Sequence, residues 1–105
     1  MTLIDQIVEI LEDRKAENVV VLDLTKRSAF ASHMIIATGN STRQVHALFQ
    51  HVYKFFKEQG IVAHVEGEAQ AEWVLISAED IVIHLFIPEA RAHYQLEKMW
   101  GSTIP

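Results

Sequence analysis

The strongest constraint on the fold is a pair of β-rich segments separated by a short polar stretch. The first covers residues 72–77 and the second covers residues 80–87. Residues 77–80, with the sequence SAED, are typical of a turn, so we expect the two segments to form a β-hairpin. Pro88 suits the first turn of a helix, and the hairpin is therefore expected to lead into a short helix over residues 88–100.

Alternation along the hairpin assigns its side chains to the two faces of a sheet, because successive residues in a strand point in opposite directions. In the first strand, Trp73 and Leu75 share one face and Val74 and Ile76 the other. In the second strand, Val82, His84 and Phe86 share a face opposite Ile81, Ile83 and Leu85. Trp73 and His84 are the residues of the hairpin that folding alone explains least well, so we expect a functional site there.

Hydrophobic periodicity predicts the remaining elements. These are a helix over residues 2–15, strands over residues 18–24, 33–38 and 61–66, and a helix that begins after Ser41 and ends at Gly60. Thr2 and Asp5 form a box-like capping pair on the first helix, and residues 41–44 form a capping box on the second. The run over residues 18–24, NVVVLDL, alternates little, which favours a central strand covered on most of its surface.

The second helix carries a hydrophobic stripe that includes three phenylalanines. Its members are Val45, Leu48, Phe49, Val52, Phe55 and Phe56. Helical spacing of this kind is typical of core packing rather than of a ligand pocket, so we expect the stripe to face the sheet.

The order of elements predicts an α/β fold in which a mixed five-stranded sheet is packed with helices. Half of the 105 residues are hydrophobic, enough to bury a core without disulfides, and the sequence contains no cysteine. We expect a single domain over residues 1–105, with residues 101–105 as a frayed tail. If most of the helical mass covers one face of the sheet, the other face is partly open to a partner.

The charge balance argues against nucleic acid as the direct partner. The formal net charge is -5 at pH 7, and the nine Lys and Arg residues are scattered. An acidic domain suits a basic protein surface, although mild acidity also serves solubility alone. The first fifteen residues lack the basic start and apolar run of a signal peptide, and no segment is apolar enough to span a bilayer. We therefore expect no membrane contact and a cytoplasmic location.

Catalytic and metal chemistry find little support. His46 and His51 lie five residues apart on one helix and point in different directions, and no Gly-x-Ser-x-Gly elbow or close aspartate pair is present. We expect no enzyme activity, no metal and no cofactor. One alternative stays open, because residues 38–41 connect a strand to a helix N-terminus and could cradle a phosphate, as in a nucleotide-binding or nucleotidyltransferase-like enzyme.

The sequence closely resembles the ribosomal silencing factor family, RsfS, also called Iojap-like. The matching residues run over nearly the whole chain: Asp23, Met34 to Gly39, Ser41, Arg43, Val65 to Gly67, Trp73 to Leu75, Asp80 to His84, Arg91, Tyr94, Leu96, Glu97 and Trp100. The resemblance implies a nucleotidyltransferase-like topology without the catalytic acids. It also implies binding to the fourteenth ribosomal protein of the large subunit, a block on joining of the small subunit, and repression of translation when nutrients are short.

The expected partner-binding residues combine this resemblance with residue type. Tryptophan, tyrosine and arginine are enriched at protein-binding hot spots. The predicted set is Trp73, Leu75, His84, Arg91, Tyr94, Glu97 and Glu66. Within it, His84 is expected to position the others from beneath, and the resemblance also implies dimers in free solution, which makes a homodimeric adaptor a further alternative.

The chain departs from the family pattern at the hairpin turn. The family usually has Asp-x-Gly-Asp there, whereas residues 77–80 read SAED. Because Glu79 tolerates a positive φ poorly, we expect a different turn type.

Overall fold

The computed structural model describes residues 2–26 and 31–90. The elements are α1 (Leu3–Asp13), β1 (Glu17–Asp23), β2 (His33–Thr38), α2 (Thr42–Glu58), β3 (Ala63–Glu66), β4 (Trp73–Ala78) and β5 (Ile81–Phe86). Pro88 begins a helical turn that continues to Ala90. The rest of the helix predicted over residues 88–100, and the tail predicted after it, lie outside the described residues.

The strands form one five-stranded sheet in the order β1-β2-β5-β4-β3. Only β2 and β5 pair in parallel, with Ile35 opposite Ile83, and the other three pairings are antiparallel. The predicted fold class, an α/β protein with a mixed five-stranded sheet, is confirmed. The β4–β5 hairpin is also confirmed, with each strand beginning one residue later than predicted.

The prediction of a central position for the first strand was wrong. β1 is an edge strand, and only its middle residues and Leu22 are partly buried. Its pairing with β2 shifts register between Glu17 and Val20, and Asn18 within this irregularity has a φ of 51°. A bulge of this kind interrupts the alternation of side chains between the two faces of the sheet. The valine run therefore belongs to an irregular edge strand and not to a strand that is buried on both faces. The central strand is β5, and β2 and β4 flank it.

The helix α1 begins at the predicted capping pair. The Thr2 hydroxyl accepts from the Asp5 backbone N–H at 3.1 Å, and the Asp5 carboxylate accepts from the Thr2 backbone N–H at 3.2 Å. This reciprocal box satisfies two donors that a helix N-terminus leaves without intrahelical partners. Ile7 and Leu11 are then buried one turn apart on the face toward the core.

The capping box predicted for α2 is only half present. The Ser41 hydroxyl accepts from the Gln44 backbone N–H at 3.1 Å. The Gln44 side chain does not return to Ser41: its Oε1 accepts from the Asn40 N–H at 2.6 Å and its Nε2 donates to the Lys15 carbonyl at 3.1 Å. Gln44 therefore ties the start of α2 to the end of α1, because an amide supplies both a donor and an acceptor.

Both helices pack on one face of the sheet. The main core holds Ile7 and Leu11 of α1, Val45, Leu48, Val52 and Phe56 of α2, and Ile35, Ala37, Val74, Ile76, Ile83 and Leu85 of the sheet. Phe49 and Phe55 are only half-buried at its margin. The predicted stripe therefore faces the sheet, as expected. A second cluster lies on the opposite face, formed by Leu24, Met34, Ile36 and Phe86.

Two of the positive φ angles lie in the connections on either side of β4. Glu79 has a φ of 55° in the two-residue turn between the paired residues Ala78 and Ile81, so this glutamate adopts the conformation that sequence reasoning considered unfavourable for it. Gly67, with a φ of 85°, connects β3 to the loop before β4. A Cβ at Gly67 would lie 2.1 Å from the Trp73 carbonyl oxygen, so only glycine fits there.

Replacement of Gly67 by alanine should destabilise the protein more than replacement of Gly60. Gly60 also has a positive φ, of 72°, but a Cβ at Gly60 would meet nothing within 4 Å beyond its own chain neighbours. Gly60→Ala should therefore cost about 1 kcal/mol, the penalty for a Cβ at this φ. Gly67→Ala adds a backbone clash and should cost at least about 2 kcal/mol more. Urea unfolding measures both free energies, and equal losses would contradict this account of the Gly67 turn.

Candidate protein-binding site

The structure brings four of the predicted site residues onto one face of the sheet. Glu66 pairs with Leu75 across β3 and β4, and Leu75 pairs with His84 across β4 and β5. These three residues form a row of cross-strand neighbours, and Trp73 lies two residues before Leu75 on the same face. Arg91, Tyr94 and Glu97, the other three predicted residues, lie outside the described residues.

Trp73, His84 and Phe86 form a compact aromatic cluster on this face. The Trp73 indole Nε1–H donates to His84 Nδ1 at 2.9 Å. The indole also stacks on Phe86, with ring centroids 5.2 Å apart and an interplanar angle of 28°. His84 stacks on Phe86 in turn, at 5.7 Å and nearly parallel. Each ring therefore contacts the other two, and the indole is held both by packing and by a directed hydrogen bond.

Burial separates the contact surface from its support. Trp73 and Leu75 are half-buried and Glu66 is exposed, so these three side chains can reach a partner. His84 is only 7% exposed and Phe86 is fully buried. We call this arrangement the Trp73 face: Trp73, Leu75 and Glu66 at the surface, with His84 and Phe86 beneath them.

Burial also fixes the charge state of His84. Removal of the imidazole from water lowers its pKa from 6.5 to about 4, so the ring is neutral near pH 7. The indole N–H can only donate, so His84 Nδ1 must be the unprotonated nitrogen and Nε2 carries the proton. Protonation of Nδ1 would remove the acceptor and break the bond to Trp73.

Sequence reasoning did not single out Phe86 as part of the site. Alternation placed Phe86 on the same face of its strand as His84, but a phenylalanine in an apolar strand is typical of ordinary core. Its neighbours in the second cluster, Met34 and Ile36, are buried on the same face of β2. Together with Phe86 they form the apolar cluster against which Trp73 packs.

In the strand-to-helix connection over residues 38–41, two backbone N–H groups donate to acceptors within the protein. The Gly39 N–H donates to the Phe86 carbonyl at 2.9 Å, and the Asn40 N–H donates to Gln44 Oε1. The Ser41 hydroxyl caps α2. The Gly39 and Asn40 N–H groups are therefore already bonded within the protein and are not available to a phosphate. Across residues 2–26 and 31–90, no group of three His, Asp or Glu residues could hold a metal ion.

Within the described part of the chain, neither α1 nor α2 is long and apolar enough to cross a bilayer.

The chain is an α/β protein in which α1 and α2 pack on one face of a mixed sheet and an aromatic cluster lies on the other, and comparison with known proteins specifies its family. The family model described as "Ribosomal silencing factor during starvation" matches residues 1–105. The chain therefore belongs to the ribosomal silencing factor family, and the resemblance inferred from sequence motifs is confirmed.

Individual relatives agree with this assignment. The ribosomal silencing factor RsfS of Halalkalibacterium halodurans is 43% identical, over 96% of this chain and 87% of the relative. A crystal structure from Chromobacterium violaceum superposes with a TM-score of 0.90 at 38% identity, covering 100% of this chain and 91% of that chain. A mouse protein named "Mitochondrial assembly of ribosomal large subunit protein 1" is 30% identical, over 92% of this chain and 44% of the relative.

The free energy of unfolding should depend on pH through His84. The imidazole has a pKa near 6.5 in the unfolded chain and about 4 in the folded protein. The unfolded state therefore binds more protons between these values, and stability falls as the pH drops from about 6.5 to about 4, by up to about 3 kcal/mol.

The His84→Asn variant isolates this effect, because the Asn Oδ1 keeps an acceptor near the position of Nδ1 but does not titrate. Asp5 and Asp23, whose pKa values are lowered by hydrogen bonds from Thr2 and Thr25, lose their stabilising effect in both proteins at still lower pH. Urea unfolding at several pH values should show a steeper loss for the natural protein. Parallel profiles would contradict the buried neutral state of His84.

Proposed function

We propose that this chain silences translation by docking its Trp73 face on the large ribosomal subunit and blocking the approach of the small subunit. The observation that carries the proposal is the half-exposed Trp73 indole, held on Phe86 and hydrogen-bonded to His84. Family membership supplies the ribosomal role. The family resemblance supplies the contact, which is the fourteenth ribosomal protein of the large subunit.

The physical character of the Trp73 face supports a protein partner. Tryptophan is enriched among residues that contribute most to protein binding, and such residues lie in apolar settings surrounded by polar groups. Trp73 and Leu75 form the apolar part, and the exposed Glu66 lies at the rim beside Leu75. A surface of this kind buries an aromatic anchor against a partner and can pair one carboxylate with a basic side chain.

The charge of the chain supports a ribosomal protein rather than ribosomal RNA as the contact. At a net charge of -5 the domain is repelled by phosphates and attracted to a basic protein. Complementary charge chiefly raises the association rate and excludes wrong partners. On the bacterial ribosome, this action would take place in the cytoplasm.

The mechanism requires no chemistry. The molecule measures 36 × 33 × 22 Å along its principal axes. Contacts between subunits require atoms to approach within about 4 Å, so a body of this thickness on the intersubunit surface prevents them. Repression then depends only on the fraction of large subunits that carry the chain. We propose that the chain is not an enzyme. Self-association of the free protein stays a prediction.

Trp73→Ala should weaken binding to isolated large subunits by more than about 1 kcal/mol, roughly fivefold in Kd. The reason is the loss of the aromatic anchor from the centre of the face. Tyr53→Ala is the matched control, because Tyr53 is an exposed aromatic residue on α2, which covers the opposite side of the sheet. Co-sedimentation over a range of protein concentrations gives both Kd values. Tyr53→Ala should bind as tightly as the natural protein. If folded Trp73→Ala also binds as tightly as the natural protein, Trp73 is not part of the contact.

A further inference from the structure

The hydrogen bond between Trp73 and His84 crosses the hairpin diagonally. In the register of the two strands, Trp73 lies opposite Phe86 and His84 lies opposite Leu75. The bond therefore joins residues that are not direct cross-strand neighbours, at 2.9 Å between Nε1 and Nδ1. Diagonal neighbours are within reach of long aromatic side chains. Stacking on Phe86 sets the plane of the indole, and the bond to His84 sets which edge of the ring faces the imidazole.

His84 is a rigid anchor for this bond. Its ring lies within 5° of parallel to the fully buried Phe86, and its strand is flanked by β2 and β4, with Ile36 and Leu75 as direct neighbours. Closely packed interior side chains hold a single rotamer. Trp73, in contrast, is half-buried and is the first residue of β4. The indole thus depends on His84 for its orientation more than His84 depends on the indole.

A fixed indole has a consequence for binding. An exposed side chain that is mobile before binding loses its freedom in the complex, and this loss weakens affinity. An indole that is already stacked on Phe86 and bonded at Nε1 has lost that freedom in the free protein. The remaining exposed part of the ring is offered to a partner in one orientation.

We propose that His84 is a positioning residue for partner binding, which acts through Trp73 and does not itself contact the partner. Its neutral Nε2-protonated form supplies an acceptor at Nδ1 that holds the Trp73 indole in the orientation the partner requires. This inference rests on the proposed function. Any side chain with an acceptor at the same place should serve, and an apolar side chain of similar volume should not.

Two replacements of His84 separate the acceptor from the volume. His84→Asn keeps an acceptor on the atom bonded to Cγ, and His84→Leu fills the space without one. Binding to isolated large subunits at pH 7.5 is measured for both, after circular dichroism has confirmed that each is folded. His84→Leu should weaken binding about threefold to tenfold, the cost of immobilising one further side chain, whereas His84→Asn should stay within about twofold of the natural protein.

The same replacement in a Trp73→Ala background tests whether His84 acts through the indole. There, His84→Leu should change the Kd by less than about twofold, because no indole remains to be positioned. An equal loss in both backgrounds would make His84 a contact and overturn the inference. Unchanged binding by His84→Leu alone would also overturn it. If Trp73→Ala binds as tightly as the natural protein, Trp73 does not contact the partner. The proposed positioning role of His84 is then wrong as well.

Nuclear magnetic resonance tests the bond in the unaltered protein. A scalar coupling across the hydrogen bond, between the Trp73 Nε1 and His84 Nδ1 nitrogens, is expected in ¹⁵N-labelled protein at pH 7.5. Trp73→Phe identifies the indole resonance, since the chain has a second tryptophan. Proton attachment at Nδ1, or loss of the coupling, would overturn the inference without reference to any binding result.

Discussion

The parallel pairing of β2 with β5 is the constraint on which the rest of the structure depends. Parallel neighbours cannot be joined by a tight turn, so the chain between them must cross the sheet. This crossover contains α2, which covers one face, and then β3 and β4, which extend the sheet beyond β5. The pairing also places β2 and β5 in the interior of the sheet, where most of their residues are buried on both faces.

The position of β5 explains why a histidine can serve as a structural acceptor here. His84 is placed between Ile36 and Leu75 in the sheet, in surroundings that keep its imidazole neutral. A neutral imidazole offers one acceptor, and the Trp73 indole offers one donor. At Gly67 the backbone turns and passes close to Trp73 at the start of β4, and from there the indole reaches the acceptor on His84. Fold, charge state and the orientation of the candidate contact residue therefore follow from the same strand arrangement.

The sequence allowed the faces of the sheet to be predicted better than the order of its strands. Alternation correctly grouped Trp73 with Leu75 in β4 and His84 with Phe86 in β5, because a period of two follows from backbone geometry alone. Strand order depends on long-range pairing, which β-propensity does not contain, so β1 was wrongly expected at the centre. The indole–imidazole bond depends on rotamers of residues eleven positions apart and was not foreseeable. The role of Gln44 between two helices was missed for the same reason.

The most direct measurement of the central claim is joining of ribosomal subunits in the presence of this chain. Purified large subunits are incubated with the protein, small subunits are added, and the formation of joined ribosomes is followed by light scattering. Steric silencing predicts that joining falls in proportion to occupancy of the large subunit, and that Trp73→Ala inhibits only at correspondingly higher concentrations. Full joining with the large subunit saturated by the natural protein would contradict the account.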